Sequence, residues 1–384
     1  MNSKKNFYLL SAAHFITDVY SSFLTPLMPI IITIFKLTLT QAGYLITTYA
    51  VVASVVQPLF GWLSDRIGRK YIIALSPLFA VIFLSLLTSF SNVNLFIMTL
   101  ILGGMAVSAF HPVGASLAHT LHKNNPGLGM ALFIALGTIG TSFGPAYISW
   151  IVSRYQPERS FLAAIPGIIF CVIFIFIFKV SAADDKIVED ESKKEQSYPY
   201  YLYTLLFIMV VLRSLTQVSL AIYLTIYFHR EGYSLMSTGW IVSLMMGMGA
   251  LGGLLGGALY KRFGFKQLFI YANLFSAIIL AFFLRTTNPW TLILLAAGCV
   301  MLYLPGPITI TIAQDISPRA IGTISAIMMG LGWGVAGMLV PITGYLGDHY
   351  GLKFALEMLF VPPFVCIFIS LLLPDKQSYQ KMLA

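Results

Sequence analysis

Long apolar stretches, separated only by short polar segments, run through almost the whole chain of 384 residues. A helix that crosses the hydrocarbon core of a membrane needs roughly 20 apolar residues. Inside lipid only helices and closed barrels satisfy their backbone hydrogen bonds, and runs this long and continuous are not barrel strands. The pattern therefore predicts an all-α membrane protein with twelve transmembrane helices. We place these spans at residues 7–34, 42–63, 71–91, 95–118, 128–152, 160–180, 199–228, 236–260, 266–284, 289–314, 320–346 and 353–373.

One strongly polar segment, residues 181–198, divides the twelve spans into two sets of six. Acidic residues and lysines dominate it, and it has no apolar run long enough to form a core of its own. We interpret it as a solvated cytoplasmic linker. The predicted domains are therefore an N-terminal six-helix bundle, residues 1–180, and a C-terminal six-helix bundle, residues 199–384.

The two halves repeat each other at a constant offset of 196 residues. An unbroken register across a whole helix and its following loop is hard to obtain by chance from apolar composition. Parallel repetition of this kind predicts two pseudo-symmetric bundles. The first-half members are Leu39, Gly43, Tyr44, Gly61, Leu63, Arg66, Gly68 and Lys70, and their partners are Leu235, Gly239, Trp240, Gly257, Leu259, Arg262, Gly264 and Lys266.

The composition excludes several classes of protein. Hydrophobic residues make up 58% of the chain and charged residues only 10%, against about 25% charged in a soluble domain. A soluble enzyme or a nucleic-acid binder would need more polar surface, despite the net charge of +9. Most basic residues fall in alternate loops, and the positive-inside rule then predicts that both termini are cytoplasmic. We expect a multi-pass protein of a bacterial plasma membrane. Its expected partner is the lipid bilayer, and we expect no nucleic-acid partner.

The loop between spans 2 and 3, residues 61–70, carries the strongest local motif. Its glycines permit a tight turn and close helix approach. Asp65, at the end of span 2, suits the positive N-terminal end of a neighbouring helix. In the second copy of the repeat, Lys261 stands where the first copy has Asp65, so we expect any charge latch to depend on the first half.

This segment resembles in full the G-x-L-x-D-R-x-G-R-K loop of the major facilitator superfamily of transporters. The resemblance implies the major facilitator fold, with a substrate site between the two halves near the membrane midplane. It also implies that the loop latches the outward-facing state against the start of span 11, here near Arg319. The residues that the resemblance assigns to this cytoplasmic gate motif are Gly61, Asp65, Arg66, Gly68 and Arg69.

Only two formally charged side chains fall near the middle of predicted spans, Asp18 in span 1 and Arg213 in span 7. Charges inside a membrane are costly and are functional candidates by default. A carboxylate there can load and release a proton, so we assign Asp18 to proton coupling. An arginine does not titrate usefully, so Arg213 suits an anionic substrate group or a counter-charge to Asp18. A buried Asp18–Arg213 ion pair that only holds the halves together is the structural alternative.

Three polar side chains accompany these charges. His14 lies one turn before Asp18 and Gln217 one turn after Arg213, on the same helix faces. His111 precedes a proline in span 4, and a proline break is tolerated where a helix lines a cavity. We expect His14, Arg213, Gln217 and His111 to line the substrate cavity. For His111, a histidine that only packs in the core is the alternative.

Small residues in span 5 form a second recognisable pattern, Gly140, Gly144 and Pro145. It resembles the G-x-x-x-G-P core of the antiporter motif, although the closing glycine pair is absent. The alternative is plain helix packing, because small residues at this spacing let two backbones approach closely.

Several segments together resemble one subgroup, the fosmidomycin resistance protein and its relatives. The carriers include His14-x-x-x-Asp18 and Phe110-His111-Pro112 in the first half, and Ala313-Gln314-Asp315 and Gly347-Asp348-His349 in the second. The resemblance implies proton-driven export of a small polar or anionic compound. Val113 stands where that subgroup commonly has a glutamate, which puts more weight on Asp18 here.

These observations lead us to expect a secondary active transporter that exports a small anionic or amphipathic compound, such as a drug, in exchange for protons. The proton gradient would be the energy source, and we expect no cofactor, no metal and no catalytic residues. The expected partners are a small-molecule substrate and protons, and the expected assembly is a monomer.

Two alternatives remain open from the sequence. A proton-linked importer or a facilitator of a small nutrient would use the same architecture. A membrane-embedded enzyme would need a nucleophile–base set or a metal cluster, and the histidines and carboxylates are scattered over different predicted helices. The chain also has no nucleotide-binding loop, which argues against an ATP-driven pump.

Overall fold

The computed structural model describes residues 3–122, 126–179, 200–286, 289–316, 321–375 and 379. Within these ranges the chain forms helices and no β-strand, so the predicted all-α class is confirmed. The helices of the first half are α1 (Ser3–Ser21), α2 (Leu24–Phe35), α3 (Leu39–Ala50), α4 (Gln57–Ile67), α5 (Arg69–Ser85), α6 (Val93–Leu121), α7 (Pro126–Tyr155) and α8 (Ala164–Ile177). Those of the second half are α9 (Tyr200–Arg230), α10 (Leu235–Phe263), α11 (Phe265–Phe282), α12 (Trp290–Tyr303), α13 (Pro305–Asp315), α14 (Ile321–Ser325), α15 (Gly332–Tyr350), α16 (Leu352–Glu357) and α17 (Val361–Leu372).

Several predicted spans consist of two helices joined by a short irregular turn. Among the described residues, eleven helical stretches are long and apolar enough to cross a membrane. The remaining predicted span, 71–91, coincides with α5, which has 17 residues and begins two residues earlier. Short π-helical and 3₁₀ segments connect the pieces, namely Val51–Val55, Pro157–Ala163, Phe283–Arg285, Ala326–Leu331 and Met358–Phe360.

The internal repeat is visible in the backbone at the ends of α4 and α10. Gly68 has φ 94° and Gly264, its partner at the 196-residue offset, has φ 78°. Residues with a Cβ rarely adopt this left-handed region, whereas glycine enters it readily. In both halves a new helix begins at the next residue, so the two glycines make the same sharp reversal possible.

The chain folds into two compact units. Unit 1 comprises Met1–Leu37, Thr48–Val188 and Thr225–Ser243, and unit 2 comprises Thr38–Thr47, Glu189–Leu224 and Leu244–Ala384. Unit 1 is thus the first half of the sequence without residues 38–47 and with residues 225–243 of the second half. Unit 2 is the second half without residues 225–243 and with residues 38–47. The predicted bundle boundaries stay predictions, and the predicted linker, 181–198, lies outside the described residues.

Each unit has its own apolar core. In unit 1, Phe110 from α6, Phe133 from α7 and Phe174 from α8 are buried together with Leu10 from α1. In unit 2, the buried cluster includes Leu206 from α9, Phe269 from α11 and Ile308 from α13. The residues come from apolar stripes on successive helices, as expected for helix-on-helix packing.

The two exchanged segments make related contacts. In unit 2, a Cβ at Gly43 would lie 2.7 Å from the Cα of Pro341 on α15. In unit 1, a Cβ at Gly239 would lie 2.8 Å from the carbonyl oxygen of Pro145 on α7. Gly43 and Gly239 are repeat partners, and so are Pro145 and Pro341. Each unit therefore contains the same glycine-on-proline helix crossing, and a side chain at either glycine would force the helices apart.

Unit 2 adds a polar contact at its crossing. The Asp348 carboxylate on α15 accepts hydrogen bonds from the backbone N–H of Leu39 and of Thr40, each at 2.9 Å, and from the Thr40 hydroxyl at 2.6 Å. These N–H groups belong to the first turn of α3 and have no partner within that helix. Asp348 thus caps a helix that lies 308 residues away in the sequence. Its repeat position, Val152, has no carboxylate.

Candidate functional site

Asp18 on α1 lies between two histidines in unit 1. Its Oδ2 is 3.3 Å from Nε2 of His14, one turn earlier on the same helix, and its Oδ1 is 3.4 Å from Nε2 of His111 on α6. The side chains of His14 and Asp18 are 8% and 12% exposed, and that of His111 is 27% exposed. Asp18 and His14, which the sequence places on one helix face, therefore form one cluster with His111, its most accessible member.

The backbone of α7 sets the orientation of His14. Its Nδ1 lies 2.8 Å from the carbonyl oxygen of Phe133, and its ring stacks on the Phe133 ring with the centroids 4.0 Å apart. A carbonyl only accepts hydrogen bonds, so Nδ1 carries a hydrogen and donates it. Nε2 then faces the Asp18 carboxylate, and the two would repel unless a proton lies on one of them. A hydrogen on either atom turns this contact into a hydrogen bond between the two side chains.

Two further elements approach Asp18. Tyr49 on α3 is a further titratable side chain near the carboxylate, and its hydroxyl donates to the carbonyl of Ser21 at 3.0 Å. On α7, a Cβ at Gly137 would lie 2.6 Å from both Oδ2 of Asp18 and Nε2 of His14. A glycine at 137 is required for α7 to pass this close to the two polar groups.

The antiporter-like residues continue the same helix face. A Cβ at Gly140 would overlap the carbonyl of Phe15, and one at Gly144 would overlap the carbonyl of Val19 and the Ser22 hydroxyl. The glycines of span 5 thus pack α7 directly on α1, the helix that carries Asp18. Pro145 follows within α7 and takes part in the crossing with Gly239 described above.

The three polar groups around Asp18 could also hold a metal ion. One ligand atom from each of His14, Asp18 and His111 lies within 4.8 Å of the others. The hydrogen bond from His14 to a carbonyl is of the kind that orients metal-binding histidines. The same donor set suits a proton shared between a carboxylate and two imidazoles.

Arg213 on α9 lies in unit 2 and is 7% exposed. Its Nε is buried and has no acceptor, and the guanidinium forms no ion pair with a described carboxylate of unit 2. The Tyr303 hydroxyl and the Cys366 thiol lie near it. A Cβ at Gly306 would lie 3.5 Å from Cζ and Nη1 and 3.6 Å from Nη2, so this glycine faces one flat side of the guanidinium.

Gln217 lies one turn after Arg213 on α9 and is 5% exposed. Its amide makes no hydrogen bond within the described part of unit 2. The four residues predicted to line the substrate cavity thus fall into two pairs, with His14 and His111 in unit 1 and Arg213 and Gln217 in unit 2.

The structure describes part of the cytoplasmic gate motif. Arg66 stacks on the Trp62 ring, with Cζ 3.9 Å from the ring centroid, and Arg69 is buried at the start of α5. Gly61 lies opposite Pro112 of α6. The side chain of Asp65 and the predicted partner region near Arg319 lie outside the described residues, so the predicted latch stays a prediction.

Two groups of the site were not predicted from the sequence, namely the carbonyl of Phe133 and Gly306. The first acts through the main chain, which no residue type signals, and the second depends on which of many glycines faces the guanidinium. Of the two, only Phe133 is weakly indicated by the sequence, because Gly137, Gly140 and Gly144 of span 5 follow it at helical spacing.

The family to which this architecture belongs follows from comparison with known proteins. The family model of the Major Facilitator Superfamily matches residues 10–341, and the chain belongs to this superfamily of transporters. It is therefore a multi-pass membrane transporter and not an enzyme, as predicted.

Among individual relatives, the chain is similar to the fosmidomycin resistance protein of Escherichia coli (strain K12), at 22% identity over 96% of this chain and 92% of the relative. The predicted resemblance to that subgroup is confirmed. The multi-drug resistance efflux pump PmrA of Streptococcus pneumoniae is 24% identical over 75% of each chain.

The fold is shared with solved transporters. A bacterial homolog of the human lysosomal transporter Spinster, solved in an inward-facing and unoccupied conformation, superposes with a TM-score of 0.81 at 12% identity. The match covers 100% of this chain and 98% of that one. The predicted major facilitator fold is confirmed.

Proposed function

We propose that this transporter exports a small anionic or amphipathic compound in exchange for protons, by alternating access. Both termini are cytoplasmic in this proposal, the membrane is a bacterial plasma membrane, and the working unit is a monomer. The proton gradient supplies the energy, and no cofactor is needed.

The observation that carries the proposal is the bridging position of Asp18 between His14 and His111. Because the Nδ1–H of His14 is committed to the Phe133 carbonyl, the contact between His14 and Asp18 requires a proton that can be gained or lost. His111, the more exposed histidine, donates to the other carboxylate oxygen in its neutral form and can pass protons to and from the pair. Asp18 is thus the proton-coupling residue, with His14 and His111 as its partners.

Loss of the shared proton changes the contact between α1 and α7. His14 and Asp18 both lie on α1, so repulsion between the carboxylate and Nε2 would displace the His14 ring, which is bonded to the Phe133 carbonyl of α7 and lies against Gly137 of that helix. Protonation is thereby linked to helix packing, which is what an exchanger needs if one conformation is to bind protons better than the other.

Export, as opposed to import, is supported by two observations. The Gly140, Gly144 and Pro145 pattern resembles the antiporter motif, and two relatives are named a fosmidomycin resistance protein and a multi-drug resistance efflux pump. In this proposal Arg213 and Gln217 contact the substrate, and the loop with Asp65, Arg66 and Arg69 gates the cytoplasmic side.

Transport by purified protein in proteoliposomes tests the proposal. Suitable probes are benzenesulfonate, phenyl phosphate and fosmidomycin, which stay charged and cross lipid slowly by themselves. An exchanger accumulates a probe when the vesicle interior is acidic, and a proton-linked importer does so when the exterior is acidic. Accumulation that needs an acidic exterior, or that ignores the gradient, would overturn the proposed exchange.

A further inference from the structure

We propose that the substrate carries an oxyanion group, and that Arg213 and Gln217 of unit 2 bind this group. The inference rests on the proposed transport function and deepens it, because it names the chemistry of the compound. A carboxylate, a sulfonate and a phosphate monoester share this chemistry. Neutral and cationic compounds would not bind at this site.

Arg213 lacks a compensating partner within the described part of unit 2. A buried hydrogen-bond donor without an acceptor is rare in native structures and calls for an explanation. Arg213 is more than nine-tenths buried, and its Nε has no acceptor. A positive charge in this position is costly inside a membrane unless an anion or water compensates it.

The described carboxylates of unit 2 do not supply that compensation. Asp348 caps α3, Glu357 lies 3.7 Å from Arg285, and Asp315 accepts a hydrogen bond from the Tyr379 hydroxyl. The fourth described carboxylate, Asp375, is exposed after the end of α17. The compensating anion for Arg213 therefore has to come from outside the described part of this unit, and a transported compound is such a source.

The shape of the site favours an oxyanion over a halide ion. Gly306 faces a flat side of the guanidinium, because a Cβ built at this glycine would lie at nearly equal distances from Cζ and both Nη atoms. The N–H groups of a guanidinium lie in its plane and point away from its edges, so they remain directed at a ligand in that plane. Two parallel N–H groups along one edge match the two oxygens of a carboxylate, sulfonate or phosphate group.

Gln217 adds a neutral donor on the same helix face. Gln217 is 5% exposed and its amide makes no hydrogen bond with the described residues of unit 2, so its NH₂ group is available to the same oxyanion. A site with one guanidinium and one amide selects its ligand by charge and by shape, because a neutral compound would leave both donors unpaired.

The site lies in a different unit from the proton site. Asp18, His14 and His111 belong to unit 1, whereas Arg213 and Gln217 belong to unit 2. Proton and substrate therefore bind to different side chains and do not compete for one carboxylate. Binding of the oxyanion and coupling to protons should consequently be separable by mutation.

Thermal unfolding of purified protein in lipid nanodiscs, measured over a concentration series of each probe, tests the inference. The probes are two matched pairs, benzenesulfonate with benzenesulfonamide and benzoate with benzamide, together with phenyl phosphate. We expect at least one anion to raise the unfolding temperature of the unchanged protein, and neither neutral amide to do so. In Arg213→Gln the apparent affinity for that anion should fall about tenfold to a hundredfold, the range of a hydrogen bond to a charged group.

Two further variants keep the experiment decisive. Arg285→Gln removes an exposed arginine of the same unit and should leave anion binding unchanged. Arg213→Met should raise the unfolding temperature without ligand, because it removes an uncompensated buried charge; a structural ion pair would give the opposite shift. A neutral amide that binds as well as its anion, undiminished anion binding by Arg213→Gln, or no binding of any anion would overturn the inference.

The outcome is independent of the proposed proton exchange. If Asp18→Asn binds the anion as the unchanged protein does but no longer couples its transport to a pH gradient, both proposals stand. If the unchanged protein binds the anion through Arg213 but transports it without regard to the gradient, only the exchange mechanism fails.

Discussion

Asp18 contacts two imidazole nitrogens, and the protein backbone decides which protonation states this arrangement allows. The hydrogen bond from Nδ1 of His14 to the Phe133 carbonyl leaves only Nε2 to face the carboxylate. In solution either ring nitrogen of a histidine can carry the proton. Here one is committed, so proton binding at the other directly changes the interaction with Asp18.

Two substitutions of His14 separate its two hydrogen-bonding nitrogens. The amide of His14→Asn can take the place of Nδ1 and donate to the Phe133 carbonyl, whereas that of His14→Gln can take the place of Nε2 and reach Asp18. Neither amide titrates. We expect both variants to lose the pH dependence of transport. Only His14→Gln should lose about 1 kcal/mol of stability, because it loses the hydrogen bond to the Phe133 carbonyl.

The measurements are pH profiles of probe transport in proteoliposomes and thermal unfolding of the purified variants. An unaltered pH profile in either variant would exclude His14 from coupling.

The individual side chains of the site were largely predictable from sequence, but their grouping was not. Asp18 and Arg213 stood out because charges are rare inside apolar runs, and His14 followed from helical spacing. His111 could not be joined to Asp18, because nearly a hundred residues separate them and the contact depends on how α6 packs on α1. The role of the Phe133 carbonyl depends on a main-chain atom that every residue possesses, and that of Gly306 depends on how α13 packs on α9.

At the scale of helices, small residues determine which elements approach the site. Gly137, Gly140 and Gly144 line the face of α7 that packs on α1. A side chain on this face would push away the helix that carries Asp18. The antiporter-like pattern and tight packing are therefore the same feature in this structure, and packing accounts for the position of each glycine.

Alanine substitution at Gly140 tests this packing. The added Cβ would overlap the Phe15 carbonyl, and we expect a loss of about 1–3 kcal/mol in stability, as for other overpacked sites. Gly257→Ala is the matched control, because nothing lies within 4 Å of its Cβ position. Thermal unfolding of the two variants should separate them clearly, and equal stability would contradict the packing assigned to α7.

The capping of α3 by Asp348 is a second property of the elements. Asp348→Ala leaves two backbone N–H groups and the Thr40 hydroxyl without their acceptor. We expect a loss of about 1–2 kcal/mol in the free energy of unfolding, the usual range for a helix N-cap.

Glu357→Ala is the control for this cap. Glu357 pairs with the exposed Arg285 at 3.7 Å, and such a pair contributes about 0–1 kcal/mol. The two variants should be compared by thermal unfolding in the same detergent. If Asp348→Ala were no more destabilising than Glu357→Ala, the cap would not stabilise the crossing of α3 and α15.

The elements themselves follow closely from the hydrophobic pattern. Apolar runs of about 20 residues became helices, and the glycine reversals at Gly68 and Gly264 fall where the repeat placed them. The exchange of residues 38–47 and 225–243 between the units was not predictable. It depends on contacts such as that of Gly43 with Pro341, which join residues some three hundred positions apart.

At the scale of the whole molecule, the two intramembrane charges belong to different compact units. Unit 1 contains a carboxylate with two histidines, and unit 2 contains an arginine without a carboxylate partner among its described residues. A transporter of this superfamily that binds protons on one unit and an anion on the other can couple the two only through its conformation. Coupling is therefore the property that a single substitution at Asp18 should remove.

The most direct test compares the unchanged protein with Asp18→Asn in proteoliposomes that have an acidic interior, using benzenesulfonate, phenyl phosphate and fosmidomycin as probes. The asparagine keeps the size of the side chain but cannot exchange a proton. We expect the unchanged protein to accumulate at least one probe against its gradient while protons leave the vesicles. Asp18→Asn should equilibrate that probe without accumulating it. Accumulation by Asp18→Asn at the rate of the unchanged protein would contradict the assignment of Asp18 to proton coupling.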